Sequence, residues 1–174
     1  MFWFPHRFLD IGCAPGGFAI HLLSKGLRGV GITLPSQPGA HDMDRELRDD
    51  RSGGRWRLCF HDITKEPQSH VIRPPVGQLF DVVIAGARYS KVGGGMAEED
   101  RHVAKLMTSQ LLLALRHLKP GGSLVVVLNV TPTLTYAAPL ALLRCAFDDL
   151  VACKPASNFQ YLQPSGRIPR QGAF

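Results

Sequence analysis

The stretch FLDIGCAPGGFAIHLL, Phe8–Leu23, holds the residues of this sequence whose types and spacing best suit a ligand. Gly12, Gly16 and Gly17 remove side chains where a backbone must bend or let something approach closely. Pro15 stiffens the bend between them. The helix that follows opens with backbone N–H groups that have no partner inside the helix, which suits an anionic or carboxylate-bearing ligand. The pattern is G-x-x-P-G-G, neither the dinucleotide G-x-G-x-x-G nor a phosphate loop with Gly-Lys-Ser/Thr. A glycine turn alone is also compatible with a tight strand-to-helix connection that holds nothing.

The elements around the turn alternate. Arg7–Ile11 reads as a short buried strand, Phe18–Ser24 as a helix ended by Gly26, and Arg28–Leu34 as a second strand. Pro35–Gly54 is rich in Pro, Gly and charge and reads as a long loop with a helical turn at Asp42–Arg48. Arg55–Phe60 alternates as a third strand, and Leu79–Gly86 is a continuous apolar run typical of a strand covered on both faces. After a glycine-rich loop at Arg88–Glu99, Asp100–Leu118 has Val103, Leu106, Gln110, Leu111, Ala114 and Leu118 at helical spacing. Lys119–Gly122 stops that helix and Ser123–Val130 reads as a fifth strand. Ala137–Cys145 reads as a helix, Asp149–Ala152 as a sixth strand, and Asn158–Leu162 as one more short strand. Strands alternating with helices predict an α/β fold, a mostly parallel central sheet with helices on both faces. In such sheets ligands bind beyond the carboxyl ends of the strands, at the switch point.

The whole chain is 174 residues, 45% hydrophobic and 20% charged, which fits a single folded domain rather than disorder. No apolar run reaches membrane-spanning length, and MFWFPHRF does not read as a signal peptide, so no membrane partner and an intracellular protein are expected. No pair among Cys13, Cys59, Cys145 and Cys153 has C-x-x-C spacing, which predicts reduced, mostly buried thiols and no metal site. The net charge of +6 favours polyanion partners without proving them. Arg45, Arg48, Arg51, Arg55 and Arg57 cluster, but Asp42, Asp44, Glu46, Asp49 and Asp50 interleave with them and predict a solvated, salt-bridged loop rather than a phosphate track. Trp56 is expected to pack at the sheet edge rather than stack on a base.

DIGCAPGGF, Asp10–Phe18, closely resembles the first motif of the FtsJ-like (RrmJ-like) S-adenosylmethionine-dependent methyltransferases, D-[LI]-G-x-[AC]-P-G-G-[FW], at nine consecutive positions. FDVVIAG and LRHLKPGGSLVVVL resemble the family's fourth strand and the segment leading into its fifth, and KPAS, Lys154–Ser157, resembles its later Lys-Pro segment. The long spacer Pro35–Gly54 is more like that of divergent, fungal-type members. The resemblance implies a Rossmann-like methyltransferase fold, S-adenosylmethionine as cofactor and RNA ribose as nominal acceptor. It implies the cofactor's methionine end on Gly12, Ala14, Pro15, Gly16, Gly17 and Phe18, with Asp10 near its amino group. Asp62 matches the acidic residue that contacts the adenine amino group, as a carboxylate accepting from an N–H₂ would. The usually acidic ribose-binding position aligns with Thr33, which makes a weaker bond than a carboxylate.

The family's 2′-O-methyl transfer uses a Lys-Asp-Lys-Glu tetrad, in which a lysine held by carboxylates helps orient and deprotonate a poor nucleophile. None of the four has a counterpart here. The first lysine lies on a helix upstream of the first strand, where this sequence supplies only the residues before Phe8 and no lysine before Lys25. In the fourth strand Asp81 matches the first aspartate of the segment, but the catalytic one aligns with Gly86. The second lysine aligns with Val127, and the segment that should carry the glutamate, ASNFQYLQPSG, has no acid. Arg88 and Lys91 lie in the loop close to the expected substrate, Asn129 two residues beyond the second lysine position and His61 beside the expected adenine site, with no predictable pairing; loop charges, a strand-end residue and a turn residue describe them better. The catalytic residues are therefore unassigned, the upstream helix reads as missing, and the tail from about 155 to 174 reads as divergent. Two functions stay open: a methyltransferase, or an inactive relative that binds cofactor, RNA or protein. A nicotinamide oxidoreductase is disfavoured by the spacing of the turn.

Overall fold

The structure is a computed structural model, and it describes residues 6–35, 42–49, 52–65, 79–88, 95–128 and 134–153. It divides into two compact units, residues 1–137 and 138–174. The first holds a five-stranded sheet of order β3-β2-β1-β4-β5. The strands are β1 (Arg7–Ile11), β2 (Arg28–Thr33), β3 (Trp56–Phe60), β4 (Phe80–Ala85) and β5 (Leu118–Val126), and every neighbouring pair is parallel. The helices are α1 (Gly17–Ser24), α2 (Arg45–Arg48), α3 (Met96–His117) and α4 (Leu134–Ala146). Most of α4, with Pro139 inside it, lies in the second unit.

Side-chain alternation along the strands builds a core on each face. Leu9 and Ile11 of β1, Val30 and Ile32 of β2 and Val83 of β4 pack with Leu113 and Ala114 of α3. Phe8 of β1 and Trp56 of β3 pack with Ala19 and Leu23 of α1 and Leu47 of α2. Each fully buried large apolar side chain stabilises the fold by roughly 1.5–3 kcal/mol. The glycines of RGVGITL now have a purpose. A Cβ at Gly29 would strike the Phe8 ring, and one at Gly31 the Trp56 ring. Without them the two rings meet across β2, stacked at 5.8 Å and 26°. The expected α/β architecture, a parallel sheet covered on both faces, is the one observed.

Several elements differ from those that the sequence predicts, among them α4, which begins at Leu134 rather than Ala137, and β5, which ends at Val126. α3 starts at Met96, not Asp100, because Gly95 is extended and its carbonyl accepts from Glu98 N at 3.0 Å, while Glu98 and Glu99 favour the first turn. β5 pairs from Leu118, opposite Phe80, and resumes with Ser123 opposite Val82, so the Lys119–Gly122 stretch bulges out of the strand rather than preceding it. Asp149–Ala152 forms no strand. The strand expected at Asn158–Leu162 and the 155–174 tail lie outside the described residues.

Sheet order reverses between β1 and β4. The turns that leave these two strands at their carboxyl ends therefore flank the crevice where such sheets bind ligands.

Candidate cofactor-binding site

The turn after β1 is fixed from both sides. Gly12 N and Cys13 N donate to Ile32 O at 2.8 and 3.1 Å, and Gly86 N donates to Ile11 O at 2.9 Å. Gly12 has φ +79°, and a Cβ there would collide with the backbone of Ala87. Ala87 N in turn donates at 3.1 Å to Oε1 of Gln110, a wholly buried side chain of α3. The Ala14–Pro15 peptide is cis, and Gly16 has φ +119°. Gly16 carries no side chain that could cap α1, so the first amides of the helix keep no side-chain partner. Nothing lies within 4 Å of where a Cβ on Gly17 would sit. Gly17 and Phe18 face outward, Phe18 half exposed.

Asp10 lies one residue before the end of β1, 1% exposed, and its Oδ2 has no hydrogen-bond partner. Burial pushes its carboxyl up to about 7. Burial, and then the Asp10 charge, also push the Cys13 thiol up, so it is an inert thiol rather than a nucleophile. A buried, unpaired carboxylate oxygen is costly, and a cationic ligand group would relieve it.

At the ends of β2 and β3, Thr33 pairs in register with Phe60, and Thr33 O accepts from His61 N at 2.8 Å. His61 Nε2 is a second buried atom with no partner, a feature that no sequence signal singled out. Asp62 is tied into a local turn. Its Oδ1 accepts from Thr64 N at 3.0 Å and Thr64 Oγ1 at 2.7 Å, and its Oδ2 lies 3.5 Å from Lys65 Nζ. Partial burial pushes this carboxyl up, but the Thr64 and Lys65 contacts outweigh it and hold it below the ordinary range. Asp62 is thus an ionised acceptor already used by its own turn.

The structure brings Asp10, Gly12–Phe18, Thr33 and Asp62 to the same carboxyl edge of β1, β2 and β3. Asp81 lies at the opposite edge. Its Oδ2 accepts from Arg7 N at 2.9 Å and its Oδ1 from Lys119 Nζ at 3.1 Å. Gly86 and Val127 hold the positions that align with the tetrad's aspartate and second lysine. They meet at the ends of β4 and β5, where a Cβ on Gly86 would lie 3.7 Å from Val127 Cγ2. Arg88 lines a cavity there with Ala87, Val103, Gln110, Val127 and Tyr136. Lys91 and Asn129 fall outside the described residues.

The described part of the charged spacer, residues 42–49 and 52–54, is held by local contacts. Arg45 lies 3.8 Å from Asp49 and Arg48 3.5 Å from Asp42, while Arg55 donates to Leu23 O at 2.9 Å. Trp56 is 3% exposed, packed on Phe8 and donating to Leu47 O at 3.1 Å. The four cysteines are free thiols, but they are not mostly buried as expected: Cys13 is buried, Cys59 partly buried, and Cys145 and Cys153 exposed. Among the described residues no group of three or more His, Cys, Asp or Glu could hold a metal ion, and no helix is long and apolar enough to cross a membrane.

Residues 4–160 match the FtsJ-like methyltransferase family. This chain belongs to that family. No curated protein matches the sequence. Among solved structures, the CcbJ methyltransferase from Streptomyces caelestis aligns at 21% identity over 69% of this chain and 41% of its own, with a TM-score of 0.45. The glycopeptide N-methyltransferase MtfA, solved with S-adenosylmethionine, aligns at 13% identity over 72% of this chain and 48% of its own, with a TM-score of 0.46. A short-chain alcohol dehydrogenase from Burkholderia multivorans aligns at 14% identity over 82% of this chain and 74% of its own, with a TM-score of 0.54. The last is a likeness of Rossmann-like fold alone. The chain spans 41% and 48% of the length of the two methyltransferases.

The residues present fit the cofactor of this family, S-adenosylmethionine. It carries an ammonium and a carboxylate on its methionine end. The chain offers a buried carboxylate oxygen without a partner, uncapped helix amides, and open space over Gly17.

Proposed function

We propose that this FtsJ-like chain binds S-adenosylmethionine on the Gly12–Phe18 turn and transfers its methyl group, with RNA ribose as the acceptor class. The unpartnered Oδ2 of Asp10 at the switch point carries the cofactor half of this reading. Asp10 would receive the ammonium, the α1 amides the carboxylate, and Thr33 and Asp62 the ribose and adenine ends. When bound, the cofactor supplies a methyl group on a sulfonium that needs no further activation. The chain's part is to hold the acceptor in line and shield it from water. The net charge of +6 supports an anionic acceptor.

A second reading rests on a specific observation. Gly86 and Val127, at the positions that align with the tetrad's aspartate and second lysine, carry no ionisable side chain, and the charged side chains lining the cavity beside them are Arg88 and Glu99. A cofactor-binding, catalytically silent member of the family fits that arrangement. The test is incubation of the purified chain with methyl-labelled S-adenosylmethionine and total RNA, followed by nucleoside analysis. Label in 2′-O-methylated nucleosides supports transfer to ribose. Cofactor binding with no label in RNA rejects ribose transfer and leaves the silent module.

A further inference from the structure

The segment Asp42–Asp49 lies across the glycine turn. Asp44 N donates to Pro15 O at 2.8 Å. The Leu47 side chain occupies the place of a Cβ on Gly16, with Met43 Sδ 3.5 Å from the same point. Leu47 and Met43 are 4% and 5% exposed. Asp44 caps α2 by accepting from Glu46 N at 2.8 Å, and Trp56 Nε1 holds the Leu47 carbonyl at 3.1 Å. The segment is therefore bonded to the core on one side and to Pro15 and Gly16 on the other. The outer side of α2 is charged and exposed, with Arg45 87% exposed.

We infer that Asp42–Asp49 is a strap that sets cofactor affinity, with Leu47 and the Asp44 amide as positioning groups for the Pro15–Gly16 turn. This rests on the cofactor reading above. Gly16 at φ +119° is one of many conformations open to a glycine, and the strap supplies a hydrogen bond and a packed side chain at that point that select it. Tightening the turn presents the first amides of α1 in one geometry and lowers the ordering cost of binding. The coupling is reciprocal, so a bound cofactor must also steady the strap.

The test measures affinity for S-adenosylhomocysteine by calorimetry, with melting temperature recorded for each variant. Asp44 has φ −51°, which proline tolerates, so Asp44→Pro deletes the amide that bonds Pro15 O. Asp44→Ala keeps that amide and loses only the helix cap. The expected result is affinity at least about tenfold weaker for Asp44→Pro than for Asp44→Ala at similar melting temperature. Leu47→Ala is expected to weaken binding and Leu47→Met to restore it. Saturating S-adenosylhomocysteine is expected to slow tryptic cleavage after Arg45 and Arg48. If the wild type binds and both Asp44→Pro and Leu47→Ala bind as tightly, the strap inference alone is overturned. If the folded wild type does not bind, the cofactor reading falls and takes the inference with it.

Discussion

Gly12 and Ala87 touch backbone to backbone, with no room for a Cβ between them. This contact joins the turn after β1 to the turn after β4 at the switch point. Gln110 fixes its far side by accepting from Ala87 N at 3.1 Å. Gly12→Ala meets two penalties, the φ of +79° and the collision, and is expected to cost roughly 2–4 kcal/mol of stability. Chemical denaturation measures it. A variant as stable as the wild type would contradict the contact.

Asp10 makes the free protein sensitive to pH. Folding raises its pKa from the ordinary 3.8 to about 7, so the folded chain retains a proton that the unfolded chain releases. Stability from this group is full below the unfolded value, falls as pH rises toward 7, and then levels off, a total of about 4 kcal/mol. Asp10→Asn is expected to flatten that fall in denaturation midpoints between pH 4 and 8. Binding of an ammonium-bearing cofactor needs the ionised form, so wild-type affinity is expected to rise with pH up to about 7. The Asn variant is expected to bind more weakly, with no such rise.

Asp81 belongs to the fold rather than the site. It ties Arg7 N at the start of β1 to Lys119 beyond α3, at the amino edge of the sheet. Burial alone would push its carboxyl up, but the Arg7 amide, Lys119 and His6 hold it down. Its contribution is present above the ordinary carboxylate range and lost as pH falls below it. Asp81→Ala is expected to lower stability by roughly 1 kcal/mol while leaving S-adenosylhomocysteine affinity unchanged. A loss of affinity at constant fold would move Asp81 into the site.

Gly86 can carry a side chain. A Cβ there would lie 3.5 Å from Ile11 O and 3.7 Å from both Ile84 Cγ2 and Val127 Cγ2, all ordinary contacts. Gly86→Ala is expected to fold with a stability change within about 1 kcal/mol, read by thermal melting. The contrast with Gly12→Ala separates a glycine demanded by packing from one that packing does not demand.

The strands and the glycine turn were legible because their signals are local. The apolar runs of β1 and β4 and the Gly-Pro-Gly-Gly spacing lie within a few residues of each other. The start of α3 is hard to see in the sequence because Met96–Glu99 follows three glycines and adds charge before any apolar stripe begins. The bulge at Lys119–Gly122 was hidden because KPGG looks like a terminator, whereas pairing of Leu118 with Phe80 is a long-range fact. Asp62 is legible as an acid just after β3, but not its bonds to Thr64. The strap was invisible as a strap. A helical turn at Asp42–Arg48 could be read, but nothing in its sequence says that Leu47 fills the space beside Gly16.

The proposed cofactor site leaves open space over Gly17. Apart from its chain neighbours and its own helix backbone, no atom lies within 4 Å of a Cβ at Gly17, so Gly17→Val can fill that space without disturbing the core. The decisive measurement is calorimetric titration of wild type and Gly17→Val with S-adenosylmethionine and S-adenosylhomocysteine. Saturable wild-type binding is expected, with affinity at least about tenfold weaker for a Gly17→Val variant of unchanged melting temperature. A folded wild type that binds neither compound, or a folded Gly17→Val that binds as tightly, would contradict it.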